Sequence, residues 1–171
     1  MKNFMATSSP APKTDPTIED VIRAHPFLRG LAPEHVRILA SCATRMHYGK
    51  DELIFREGDP ANRFYLIEQG RVSLESREGA PAALAKSVGV IEPGDVLGWS
   101  WLFSPYLWHF DARTLEPTDA IFFYGTRLRE HCEQDHHFGF EMMKRMAQVM
   151  MSRLQAARRQ GIAPRSGASG S

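Results

Sequence analysis

The sequence predicts an α+β fold, a small jelly-roll-like β-roll flanked by N-terminal helices and a long C-terminal helix. Three observations carry that expectation. Capped, apolar-periodic stretches open the ordered part of the chain. Short alternating runs, punctuated by turn residues, fill its middle. A 3–4 apolar repeat then runs from His136 almost to the end.

Residues 1–16, with Pro10, Pro12 and Pro16 among Ser8, Ser9 and Thr14, have no apolar period and read as a flexible leader. Thr17 is then placed as N-cap of a helix reaching Ala24, with Glu19 and Asp20 in the first turn, where the helix dipole favours acids. His25-Pro26 ends it, because the residue before proline is pushed out of the α region. Pro33 suits the first turn of a second helix, running to about Ala43 with Val36, Leu39 and Ala40 on one face.

From Arg45 to Tyr124 the pattern changes to strands, at 53–55, 64–67, 72–74, 88–91, 110–115 and 120–124. Turn residues separate them: Arg56-Glu57-Gly58-Asp59-Pro60, Glu68-Gln69-Gly70, a Gly79-Ala80-Pro81 tip and Pro93-Gly94-Asp95. Thr126 is placed as cap of a short helix to Cys132, and Asp135 as cap of the long helix over 136–160. Met143, Ala147, Met150, Leu154 and Ala157 recur along it, with Met142, Met146 and Val149 beside them. Residues 161–171, rich in Gly and Ser, read as a disordered tail. The roll domain is thus expected over 17–135.

Composition narrows the function classes. A chain of 171 residues with 21 Lys+Arg against 20 Asp+Glu is one domain with extensions and no strong field of either sign. Its two cysteines, Cys42 and Cys132, form no C-x-x-C pair and no disulfide framework. No apolar run approaches the ~18 residues that span a bilayer, and the N-terminus lacks a secretory core. A cytoplasmic protein without membrane contact is expected. There is no G-x-S-x-G, P-loop or G-x-G-x-x-G, and no nucleophile–base pair, so no catalysis is expected. His131, Cys132, His136 and His137 do not converge on one helical face, so neither metal nor cofactor is expected there.

Specific segments also carry a resemblance: Phe27-Leu28-Arg29-Gly30-Leu31, Ile54-Phe55-Arg56-Glu57-Gly58-Asp59, Phe64-Tyr65-Leu66-Ile67-Glu68-Gln69-Gly70-Arg71-Val72 and Pro93-Gly94-Asp95-Val96-Leu97-Gly98. In this order, between helices, they resemble the cyclic-nucleotide-binding domain of the catabolite-activator (Crp/Fnr-like) family, kinase regulatory subunits and gated channels. The resemblance covers about residues 18–158 and implies a double-stranded β-helix. It also implies a phosphate-binding cassette after Gly94-Asp95, where backbone N–H groups and an arginine hold the cyclic phosphate and a glutamate holds the ribose.

In that cassette, Gly94, Asp95, Val96, Leu97, Gly98 and Ser100 are candidate ligand residues, but Trp99 stands at the ribose glutamate and Trp108 at or near the phosphate arginine. Losing both polar anchors would cost of order 3–6 kcal/mol, about two to four decades in affinity. Arg113 lies on the following strand, where alternation sets its direction. His109, if protonated, is a candidate anion contact. Six aromatics, Trp99, Trp101, Phe103, Tyr106, Trp108 and Phe110, crowd twelve residues. They could plug the pocket, stack a planar nucleotide such as a pyridine dinucleotide, or face a protein partner.

The resemblance also implies a homodimer through the long helix, with Met143, Met146, Met150 and Leu154 as partner-facing residues. The cations after Glu141 complement the helix C-terminus. With about eleven residues after Gln160, no winged helix-turn-helix and no DNA binding are expected. Short proteins of this type resemble accessory subunits of NAD(P)-linked soluble hydrogenases. The expectation is a regulatory subunit acting through a protein partner, or else a nucleotide sensor.

Overall fold

A computed structural model describes residues 15–76 and 85–162, with four helices and eight strands among them. The expected tip at 79–81, most of the leader and most of the tail lie outside the described residues. Helix α1 (Ile18–Ala24) starts on a capping box in which Asp20 N–H donates to Thr17 Oγ1 at 3.2 Å and Thr17 N–H donates to Asp20 Oδ2 at 3.0 Å. His25, in extended conformation before Pro26, ends it as expected. Helix α2 (Pro33–Ser41) has Pro33 in its first turn. It stops two residues early because the chain turns at Cys42 into β1 (Ala43–Tyr48).

The strands β2 (Leu53–Phe55), β3 (Arg63–Gln69), β4 (Val72–Ser76), β5 (Lys86–Ile91), β6 (Val96–Leu97), β7 (Asp111–Thr114) and β8 (Thr118–Tyr124) complete two antiparallel sheets. One has the order β1-β8-β3-β6, the other β2-β7-β4-β5. Gly70 turns β3 into β4 at φ +85°, and a Cβ there would lie 2.4 Å from Thr118 Oγ1, so only glycine fits.

Period-two alternation divides the core into two clusters. Along β3, Tyr65 and Ile67 join Tyr48, Leu97, Trp108 and Phe122 between the sheets. Phe64 and Leu66 face the other way, into a helical layer with Ile22, Leu39, Trp101, Phe123, Phe138 and Met142. The central strands are therefore buried on both faces. Phe64 stacks on Phe123 at 4.4 Å and on Trp101 at 5.2 Å.

Helix α3 (Gly125–Gln134) starts at Gly125, with Tyr124 as N-cap and no side-chain cap bond; Thr126 lies inside it. Gly125 N–H instead donates to the Asn62 carbonyl at 2.8 Å. Helix α4 (His136–Ile162) spans 27 residues, two beyond the expected end. Asp135 caps it as expected: Oδ1 accepts from His137 N–H at 3.0 Å and from Phe138 N–H at 3.1 Å. Those bonds and the contact with His35 hold the Asp135 carboxyl below its usual pKa. No helix among the described residues is long and apolar enough to cross a membrane.

Candidate functional site

The cassette begins at a turn tied to β3. Gly94 N–H donates to the Ile67 carbonyl at 3.0 Å, and Ile67 N–H donates to the Asp95 carbonyl at 3.2 Å. Asp95 does not face a pocket. Its carboxylate accepts from Glu92 N–H at 3.1 Å and closes the Pro93-Gly94 turn. Val96 and Leu97 are buried on opposite faces of β6, one in each core cluster. A short 3-10 turn (Ser100–Leu102) follows.

The six clustered aromatics part company. Trp101 is fully buried in the helical layer, and Trp99 and Phe103 pack against that layer. Tyr106 is exposed, with Arg129 over its ring at 4.4 Å. Trp108 alone is buried between the sheets, with Phe110 packed beside that cluster.

Both backbone groups of Trp108 are fixed on the β2–β3 turn: its N–H donates to the Asp59 carbonyl at 3.0 Å and its carbonyl accepts from Gly58 N–H at 2.9 Å. Its indole stacks on Phe55 at 3.8 Å between centroids, 11° from parallel. On another side the six-membered ring covers Gly98. A Cβ at Gly98, whose φ is +86°, would lie 2.7 Å from Trp108 Cζ3.

What remains is a cavity of about 20 Å³, bounded by Phe55, Gly98, Trp99, Ser100, Trp108 and Arg153 among others. That is room for one water, against the roughly 300 Å³ at which small-molecule pockets begin. Its polar corner holds Ser100 Oγ and His109 Nδ1, hydrogen-bonded at 2.9 Å, with the exposed His109 ring stacked on Trp99 at 4.9 Å.

Arg113 is not in this corner. Its guanidinium donates to the Asp51 carbonyl at 2.9 Å and lies 3.6 Å from Glu75. On β7 it sits beside the buried Ala112, so alternation turns it out of the roll. The arginine that does reach the cavity is Arg153, from α4, which hydrogen-bonds the Val96 carbonyl. Burial lowers its pKa, with Asp95 acting in the opposite direction. Sequence reasoning missed it. Arg153 belongs to the basic stretch after Glu141, and the only hint was its eight-residue spacing from Arg145, about two helical turns.

Arg145 repeats the device. Its guanidinium donates to the Phe27 carbonyl at 2.7 Å and the Arg29 carbonyl at 3.2 Å. On either side of Arg145, Met142 and Met146 are completely buried. Met146 therefore belongs to the chain's own core and cannot face a partner as expected. Met143, Ala147, Met150, Leu154 and Ala157 remain exposed along the adjacent face. At the α3–α4 corner, burial pushes the Cys132 thiol up to about 11. No group of three His, Cys, Asp or Glu among the described residues is arranged to hold a metal.

Comparison with known proteins accords with this geometry. Residues 45–135 match the family described as Cyclic nucleotide-binding domain. Over 81 residues the chain is 30% identical to the cGMP-dependent protein kinase egl-4 of Caenorhabditis briggsae, covering 47% of this chain and 10% of the kinase. A solved structure from Geobacter metallireducens is similar with TM-score 0.70 and 26% identity, over 77% of this chain and 94% of that one. A cyclic nucleotide-binding domain from Methylobacillus flagellatus is similar in fold, with TM-score 0.70 and 18% identity over 88% and 83% of the two chains.

Proposed function

The chain belongs to the cyclic nucleotide-binding domain family, and from that premise we propose that it is a regulatory subunit whose own Trp108 occupies the ligand pocket and which acts through a partner protein. The observation that carries this reading is the Trp108 indole, stacked on Phe55 at 3.8 Å over a glycine that has no room for a Cβ. A cyclic nucleotide would have to expel that ring from a cavity of about 20 Å³, and without the family's arginine or glutamate to hold it.

With Trp108 in place, α4 is latched without a ligand. Arg153 bonds the cassette at the Val96 carbonyl, and Arg145 bonds the loop between α1 and α2. The subunit then offers a fixed surface rather than a ligand-dependent one. Its apolar part is the exposed stripe of Met143, Ala147, Met150, Leu154 and Ala157, whose 4-3-4-3 spacing suits a coiled-coil seam with a second copy. The sequence resemblance supports a narrower partner class, an NAD(P)-linked redox enzyme such as a soluble hydrogenase.

Calorimetry with cyclic AMP, cyclic GMP, NADH and NADPH tests the plugged pocket. No heat is expected with any of the four. Saturable binding of one of them selects the second reading, a nucleotide sensor, which the Ser100–His109 pair and Arg153 beside the cavity favour if Trp108 swings aside. Affinity purification from the native host tests the partner: co-elution of a redox enzyme is expected, and a chain that elutes only as its own dimer refutes it.

A further inference from the structure

Three pieces of chain meet at one end of the roll. The Tyr106 carbonyl accepts from Ala61 N–H at 2.7 Å, which ties the cassette tip to the turn before β3. Gly125 N–H donates to the Asn62 carbonyl at 2.8 Å, which ties that turn to the start of α3. Among the described Phe, Tyr and Trp side chains, only Tyr106, Tyr124 and Phe140 are exposed. Two of the three lie at this end, with the exposed Leu107, Pro60 and Pro105. Tyr106 is held there against its backbone preference. Its φ is +56°, a region that bulky side chains rarely enter. Its bond to Ala61 keeps it so, together with its own N–H, which donates to the Phe103 carbonyl at 2.9 Å. Strained positions of this kind cluster where a side chain serves a ligand or a partner.

Each of these tyrosines carries an arginine. Arg129 lies over the Tyr106 ring at 4.4 Å, oriented by donation to the Trp101 carbonyl at 2.5 Å and to Thr126 Oγ1 at 3.4 Å. Arg63 lies over Phe122 at 4.5 Å and over Tyr124 at 5.9 Å. Both arginines are partly exposed. Among the described residues neither has a carboxylate within 4.0 Å, whereas Arg23, Arg71 and Arg113 are each paired with a glutamate. Tyrosine and arginine are enriched among the residues that dominate protein interfaces. A guanidinium already held flat on a ring loses little freedom when it pairs with a carboxylate fork. Two such cations without counter-ions, set among exposed apolar side chains, complement a surface of opposite charge.

We propose that this end of the roll docks an acidic segment of the partner protein, with carboxylates paired to Arg129 and Arg63 and an apolar or proline residue against Tyr106 and Leu107. Such docking rests on the partner of the reading above, and it uses neither the Trp108 cavity nor the exposed stripe of α4.

The test is NMR titration of the full chain with the peptide Ac-Glu-Pro-Asp-Leu-Glu-NH2 and its uncharged counterpart Ac-Gln-Pro-Asn-Leu-Gln-NH2. Saturable shifts at Arg63, Tyr106, Tyr124 and Arg129 are expected with the acidic peptide at a Kd of about 1 mM. The uncharged peptide should bind about tenfold more weakly or worse. Arg129→Met should weaken binding of the acidic peptide about tenfold. Tyr106→Gly should weaken it too, and because glycine suits the positive φ this variant decides the matter if Arg129→Met does not fold. Arg158→Gln, which removes an exposed arginine from α4, should leave binding unchanged. Equal shifts with the uncharged peptide, no saturable shift up to about 10 mM, or undiminished binding by Tyr106→Gly would overturn the proposal. In affinity purification from the native host, Tyr106→Gly should lose the partner that wild type and Arg158→Gln retain. A partner that co-elutes equally with Tyr106→Gly overturns this surface alone. A wild-type chain that captures no partner refutes the regulatory reading, and the peptide titration then decides the surface by itself.

Discussion

Replacing Trp108 with alanine removes an indole that is 5% exposed and stacked on Phe55. A buried Trp hides about 150–250 Å², worth roughly 4–6 kcal/mol at 25 cal/mol per Å². That is an upper bound, since the unfolded chain already hides part of its surface. Truncations of this kind cost about 3–5 kcal/mol, and that is the expected loss in urea unfolding followed by far-UV circular dichroism. The vacated space should then take up free indole. At a hundred times its dissociation constant, indole should restore about 2.7 kcal/mol.

A second substitution checks the geometry. Gly98→Ala alone meets both the Trp108 ring at 2.7 Å and a φ of +86°; in the Trp108→Ala background only the backbone strain remains. The two losses should therefore fall short of additivity by more than about 0.5 kcal/mol. A Trp108→Ala loss below about 1 kcal/mol, or additive losses, would refute the claim that the indole is packed as a plug.

Met146→Ala should cost about 2–5 kcal/mol and Met150→Ala no more than about 0.5 kcal/mol in the same urea assay, because only Met146 is buried. Arg153→Met should leave the roll intact but speed amide hydrogen exchange in the second half of α4, where the Val96 carbonyl bond is lost. Burial holds His25 below its ordinary pKa of 6.5. The unfolded chain therefore takes up the proton first, and the stability His25 contributes is present above pH 6.5 and lost as pH falls toward its folded value. Urea melts between pH 8 and pH 5 should show that loss in the wild type and less of it in His25→Gln. Leu154→Glu, at an exposed position, should leave the melting curve unchanged and convert a dimer to monomer in light scattering; an unchanged dimer would place the seam elsewhere.

The capped ends of α1 and α4 were legible because Thr17 and Asp135 act on neighbours within three residues. The roll corners were legible too, since glycines at 58, 70, 94 and 98 all take positive φ. The rotation of α4 was not. Met142, Met143, Met146 and Ala147 form two adjacent apolar stripes, and periodicity alone cannot say which one the roll covers. Arg153 escaped for a related reason: a cation that bonds a main-chain carbonyl has no complementary side chain to reveal it. At the cassette, the replacement of both polar anchors by tryptophan could be read directly, but not their different fates. Trp108 turns into the roll, while Trp99 stacks on His109. The direction of Trp108 depends on backbone bonds to Gly58 and Asp59, about fifty residues away in sequence.

The seam between α4 and the roll rests at three points on main-chain oxygens, those of Phe27, Arg29 and Val96. A carbonyl neither titrates nor changes with the side chain it belongs to. Acid that protonates every carboxylate in the molecule would leave these acceptors in place, and so would any replacement of the Arg29 side chain. The attachment of the helix is thus written into the path of the backbone. On the acceptor side its failures would come from shifts of the loop or of β6, through insertions, deletions or a proline, and only on the helix side from replacement of Arg145 or Arg153.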